Sequence, residues 1–223
     1  MPRGQRGHRC DAVLFDMDGV LVDSREVIAR TWRRWAERHG LDASGILAVA
    51  HGRRTSDTLR LVAPRVDLAA EVAWLDRAEA EDLDGIRAIR GAPALLAALQ
   101  PDEWAVVTSA DRTLAQRRLA AAGLPVPAVL VASEDILLGK PDPEGYRKAA
   151  ASLGRRSSEC VVLEDAPAGI AAGRAAGCKV IGVATTHEAG ALEGAAFVVP
   201  DLSTLRVIRT GGRLEIETAG SVG

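Results

Sequence analysis

Short apolar runs punctuate the chain at 11–16 (DAVLFD), 104–108 (WAVVT), 128–132 (AVLVA), 160–164 (CVVLE) and 179–183 (KVIGV). Each is too short for a helix, and each is apolar throughout rather than alternating, as in a strand covered on both faces. Between them lie alanine-rich stretches with helical spacing at 111–122, 143–153 and 167–176. Strands of about five residues alternating with helices of about ten predict βαβ units. The fold class expected is therefore α/β, a Rossmann-like parallel sheet flanked by helices.

The alternation breaks once. Residues 24–88 hold no convincing strand, only helical stretches at 25–39, 55–63 and 68–83. The pattern divides the chain into a core of residues 1–23 and 89–223 and an inserted all-α domain of residues 24–88, with 84–91 (DGIRAIRG) as the returning hinge. Asp23 or Ser24 is the expected N-cap of the first inserted helix, with Glu26 three beyond Asp23; Thr55 or Ser56 is expected to cap the 55–63 stretch. Gly169, Gly173 and Gly177 recur every fourth residue and predict a small helix face against the sheet. Near the C-terminus, RVIRTGGRLEIET predicts a hairpin around Gly211 and Gly212.

Composition narrows the function classes. Hydrophobic residues make up 48% of 223 and charged residues 26%, an ordinary globular balance, and the net charge is −2. Nothing global attracts nucleic acid or an anionic membrane surface. Cys10, Cys160 and Cys178 form no C-x-x-C pair, which suits free thiols in a reducing cytoplasm. The basic start, MPRGQRGHRCD, reads as a solvated arm, because the apolar run behind it is too short for a signal-peptide core or a membrane span.

Ligands of α/β sheets gather at the carboxyl ends of the strands. The predicted ends carry Asp16-Met17-Asp18-Gly19, then Thr108-Ser109, then Gly139-Lys140-Pro141-Asp142-Pro143, and finally Glu164-Asp165. Asp16 and Asp18, separated by one residue, repel each other unless something positive sits between them. A hard divalent cation such as Mg²⁺ wants oxygen ligands, and Asp16 and Asp165, with the Asp18 backbone and Glu164, would supply them. A carboxylate can also attack phosphorus, with Thr108 and neighbouring N–H groups holding the phosphoryl oxygens and Lys140 offsetting their charge. A second acid two residues past the nucleophile can protonate the leaving alcohol and then activate water. Two rival motifs fail. A calcium loop starting at Asp16 would need an oxygen, a glycine and a glutamate where Val20, Leu21 and Val27 stand, and a P-loop is excluded by Glu134 and Pro141.

Taken together, these segments resemble the haloacid dehalogenase-like hydrolase superfamily over nearly the whole chain. FDMDGVLVDS matches its first motif, VVTSA the second, GKPDPEGY the third and VLEDAPAGIAAGRAAG the fourth, in the same order and spacing. The resemblance implies that Asp16 is the nucleophile and Asp18 the general acid/base, that Thr108 binds the phosphoryl group and Lys140 stabilises charge, and that Asp16 and Asp165 hold Mg²⁺. The insert resembles the helical cap of one subgroup. Dehalogenases and phosphonate-cleaving members typically lack an acid at the position of Asp18, so the resemblance favours phosphate esters. Mutases of the β-phosphoglucomutase type usually carry a histidine where Ile28 stands, which leans the reading to a phosphatase; a mutase or a phosphoglycolate phosphatase is the alternative.

Substrate choice is expected in the insert, at HGRRTSDTLR (51–60). It looks like the cap loop of phosphatases of sugar phosphates and glycerol phosphate. Arg53 and Arg54 could contact phosphate or a polyol, and His51, Gly52 and Thr55, together with Ser109, complete the expected substrate-binding set. Trp32, Trp35, Cys160 and Cys178 read as core and His187 as loop. The expectation is a cytoplasmic enzyme, monomer or weak dimer, whose partner is a small phosphomonoester.

Overall fold

The computed structural model describes residues 7–218. Strand β1 (Gly7–Cys10) leads through Asp11 into β2 (Ala12–Phe15), and a tight turn brings the chain to β3 (Val22–Asp23). Four helices follow, α1 (Arg25–His39), α2 (Ala43–Ala50), α3 (Thr55–Val62) and α4 (Leu68–Glu81), before β4 (Arg87–Ala88) closes the segment. After α5 (Ala92–Ala97), strand and helix alternate through β5 (Trp104–Val107), α6 (Arg112–Ala121), β6 (Leu130–Val131), α7 (Glu144–Ser152), β7 (Cys160–Glu164), α8 (Pro167–Ala176) and β8 (Lys179–Val183). The chain ends with β9 (Phe197–Val199), β10 (Leu205–Thr210) and β11 (Arg213–Thr218).

Six strands form one parallel sheet in the order β6-β5-β2-β7-β8-β9. Every residue of β2, β5 and β7 is buried. Val13 and Phe15 feed a core on one face with Val106 and Leu163, while Ala12 and Leu14 feed the other with Val107 and Val162. Two-sided burial is why these runs lack polar alternation. Helix α8 packs close to the sheet: a Cβ on Gly173 would lie 2.9 Å from the Val180 side chain, and one on Gly169 would run into Glu164. Gly177 has a different task from its two partners, ending α8 in the left-handed region at φ 92°. The edge strand β9 has only three residues and left no readable run.

The inserted segment has its own core, in which Trp32, Trp35 and Ala36 of α1 meet Ile46 and Ala50 of α2, Leu59 of α3 and Leu75 of α4. Trp35 is fully buried and donates through Nε1 to Glu71 at 2.7 Å. Positions 32, 35 and 36 share one helix face, so the segment packs as a unit. Helix α2, ASGILAVA, was not foreseen; it carries no charge to mark an outer face. The segment is also not wholly strand-free: β3 pairs antiparallel with β4, and Arg87 reaches Asp23 at 2.7 Å, tying both ends of the insert together.

Three local expectations are corrected. Ser24 stands at the N-cap of α1, but its side chain makes no cap bond and donates to Asp18 instead, while Asp23 is held by Arg25 and Arg87. Arg54 occupies the cap position of α3, and Thr55 turns to Asp76. The first six residues of the basic start lie outside the described residues, and Gly7–Cys10 is no solvated arm: it pairs antiparallel with β11, adding a third strand to the expected C-terminal hairpin. Among the described residues no helix is long and apolar enough to cross a membrane.

Candidate active site

The three central strands end at the same edge of the sheet. Phe15 of β2 is in register with Val106 of β5 and Leu163 of β7, so Asp16, Thr108 and Glu164-Asp165 emerge side by side. The chain leaves β2 in a turn where the N–H groups of Leu21 and Val22 donate to the Met17 carbonyl and Gly19 donates to Val22. Gly19 sits at φ 85°, and a Cβ there would lie 2.0 Å from Asp165 Oδ2, so only glycine fits beside that carboxylate.

Asp16, Glu164 and Asp165 are all buried and can bring one oxygen each within 4.8 Å of one another. Lys140, itself 5% exposed, bonds to Asp16 and, at 2.6 Å, to Glu164. Glu164 also accepts from the Tyr146 hydroxyl at 2.8 Å and from the N–H groups of Asp165 and Ala166, so it serves as the anchor of Lys140 and of the turn after β7. One ammonium among three carboxylates leaves excess negative charge. Burial, together with Glu164 and Asp18, pushes Asp16 up to about 8 despite Lys140, and burial beside Asp16 pushes Asp165 well above the usual carboxylate range. A buried all-oxygen set short of positive charge fits a hard cation. Thr108 accepts from the Ala110 N–H at 3.1 Å, which leaves its own hydrogen free to donate.

Above this edge lies a cavity, partly open to solvent, between the sheet and the inserted helices. Asp16, Asp18, Asp165, Thr108 and Ser109 form its floor; His51, Gly52, Arg53 and Thr55 come from the insert. Arg54 is off this wall, bonded to Asp57 and to the Leu137 carbonyl. The insert also touches the floor through Ser109, which donates to the Gly52 carbonyl at 3.1 Å. His187, read as plain loop, is nearer the site than expected: its Nδ1 meets the Asp165 carbonyl at 3.0 Å and its ring faces His51.

Sequence reasoning missed the group on the far wall. Arg118 of α6, 2% exposed, meets both Asp18 oxygens at 3.1 Å and Glu79 of α4 at 2.7 Å, spanning the sheet domain and the insert. Burial pushes the Glu79 carboxyl up, and Arg118 opposes that shift. These residues lie on two helices 39 positions apart. Only an arginine and a glutamate inside otherwise small, apolar helix faces could have signalled them.

With this geometry, carboxylates, a hydroxyl and a lysine converge at the carboxyl edge of a parallel sheet under a helical insert. The sequence profile of the haloacid dehalogenase-like hydrolases matches residues 10–177, and the chain belongs to that family. It is similar to hexitol phosphatase A of Escherichia coli, 42% identical over 206 residues that span 90% of this chain and 95% of that one. It is also similar to glycerol-1-phosphate phosphohydrolase 2 of Saccharomyces cerevisiae, at 38% identity over 89% of this chain and 85% of the relative. Among solved structures, a hydrolase from Pseudomonas syringae superposes with a TM-score of 0.79 at 26% identity, covering 86% of this chain and 94% of that one. The chain is thus a phosphoric monoester hydrolase of this family.

Proposed function

We propose that the protein is a Mg²⁺-dependent phosphatase of a small sugar or polyol phosphate, with residues 1–23 and 89–223 as catalytic core and 24–88 as a cap that selects substrate. The observation that carries this reading is Asp16 at the head of the central strand, bonded to Lys140, with Asp165 and Thr108 beside it. The named activities of the similar proteins support the substrate class. Three free, buried cysteines accord with a reducing cytoplasm.

Asp16, Asp165 and the Asp18 backbone, with Glu164 behind them, would hold the cation, which when bound supplies the positive charge that lets a phosphate dianion approach a carboxylate. An Asp16 oxygen attacks phosphorus in line, and the bond from phosphorus to the ester oxygen breaks. Asp18 gives its proton to the departing alkoxide, which leaves as the alcohol. Water then enters, Asp18 takes a proton from it, and its oxygen attacks phosphorus. Phosphate departs and the Asp16 carboxylate is restored. Thr108 and Lys140 hold the phosphoryl oxygens throughout. Ile28 lines the cavity and offers no acid–base group there for transfer to a second sugar hydroxyl, which favours hydrolysis over a mutase.

The test is phosphate release from glycerol phosphates, hexose and hexitol phosphates, phosphoglycolate and nucleoside monophosphates, with and without Mg²⁺. Metal-dependent release concentrated on polyol or sugar esters, and lost in Asp16→Asn, is the expected result. Interconversion of β-glucose 1-phosphate and glucose 6-phosphate faster than hydrolysis of either would make it a mutase.

A further inference from the structure

The hydrolytic reading does not use Asp76. This residue of α4 faces the cavity half-buried, and its side chain has one hydrogen bond, from the Thr55 hydroxyl at 3.3 Å. Among the described residues no lysine or arginine forms an ion pair with it, unlike Asp18 and Glu79, which share Arg118. Burial, with Asp111 nearby, pushes its carboxyl up to about 6. A carboxylate in that position retains lone pairs with nothing to accept.

A second observation on the same wall matches it. Arg118 spends both terminal nitrogens on Asp18 and Glu79, and its buried Nε has no hydrogen-bond partner. The wall therefore offers substrate an underused acceptor and no reachable donor from Arg118, whose Nε is closed off from the cavity. An alcohol hydroxyl donates and accepts at once, whereas a carboxylate or a phosphate only accepts. Charge points the same way. Arg25 is held by Asp23 and Arg118 by two acids, so Arg53 is the cavity arginine without a carboxylate partner among the described residues. Beyond Lys140 and the cation at the phosphoryl end, that one charge is all the cavity holds for a second anion, which would also face the unpaired carboxylate of Asp76.

We propose that Asp76 reads a hydroxyl on the substrate's arm, so that the site takes phosphomonoesters ending in a neutral polyol and rejects those ending in a second anion. This rests on the phosphatase reading above.

The test compares two esters that differ only at the far end, sn-glycerol 3-phosphate and 3-phosphoglycerate, with p-nitrophenyl phosphate as an ester lacking hydroxyls. The wild type is expected to favour glycerol phosphate in kcat/KM by about tenfold or more. Asp76→Leu, which has no acceptor, should raise KM for glycerol phosphate by a similar factor, about tenfold, with a much smaller change in kcat and in KM for the nitrophenyl ester. Asp76→Glu, which keeps the acceptor, should recover part of the preference. A wild type that prefers 3-phosphoglycerate would overturn the proposal without any variant being made. Equal shifts in KM for glycerol phosphate and the nitrophenyl ester in Asp76→Leu would overturn it too, by making the residue merely structural. Turnover of the nitrophenyl ester separates the two readings: if it proceeds while the preference is absent, only the Asp76 proposal falls; if no ester is hydrolysed, both fall.

Discussion

The cavity has two acidic walls, and they are built in opposite ways. On the floor, Asp16, Glu164 and Asp165 come from two adjacent strand ends, and Asp16 and Glu164 share a lysine from a nearby loop. On the far wall, Glu79 of α4 meets Arg118 of α6, which reaches back to Asp18 in the turn after β2. Burial, with too little positive charge nearby, pushes Asp16 and Asp165 upward. On the far wall Arg118 is paired directly with Asp18 and Glu79, and Asp76 has no ion-pair partner among the described residues. The difference teaches that one wall is fitted to do chemistry with an added cation, while the other holds the insert against the sheet and leaves a single acceptor for substrate.

The sharpest way to break this contrast is at the floor. Asp16→Asn is expected to lower kcat on the order of 10⁴-fold or more, since removing a nucleophile removes the covalent route. Phosphate release by a continuous assay measures it, and a loss below tenfold would move the nucleophile elsewhere. Lys140→Met comes next, leaving Asp16 and Glu164 without their shared ammonium. The expected loss is about 10²–10³-fold in kcat, read in the same assay at saturating Mg²⁺.

At the far wall the effect should appear in stability. Glu79→Ala leaves the buried Arg118 with Asp18 alone, and unfolding by urea should show a loss of about 3 kcal/mol. A loss near zero would mean that the wall carries no coupling between the insert and the sheet. The smallest effect belongs to Asp76. Its folded value of about 6 lies above the ordinary 3.8, so the folded state binds more protons between those values. Stability therefore falls as pH rises from about 4 to about 6 and stays lower beyond that. Asp76→Asn should remove this slope and stabilise the protein by ~1 kcal/mol at pH 7 after allowance for residual solvent, with little change at pH 4. Thermal melts at the two pH values measure it.

The two walls also differ in how far the sequence discloses them. Asp16, Thr108, Lys140 and Asp165 each follow a recognisable apolar run, because a strand buried on both faces is continuous in sequence and its last residue marks the sheet edge. The inserted helices were readable from spacing, except α2, whose sequence is almost uniformly apolar and small. The β3–β4 ribbon is two residues on each side and has no period to detect. Ser24 and Thr55 read as helix caps because their local sequence allows it. Tertiary partners, Asp18 and Asp76, took their hydroxyls instead. The Arg118 bridge depends on α4 and α6 meeting across the cavity, which no local pattern encodes.

The central claim is that Asp16 receives the phosphoryl group. The most direct measurement is an acid-quenched reaction of the Asp18→Asn variant with p-nitrophenyl phosphate, whose leaving group needs no proton, and Mg²⁺, followed by borohydride reduction and peptide mass analysis. In that variant the second step lacks its base, so the acyl phosphate should accumulate and residue 16 should be recovered as homoserine. Wild-type levels of phosphate release with residue 16 unreduced would contradict the account, pointing to direct attack by water with Asp16 only a ligand.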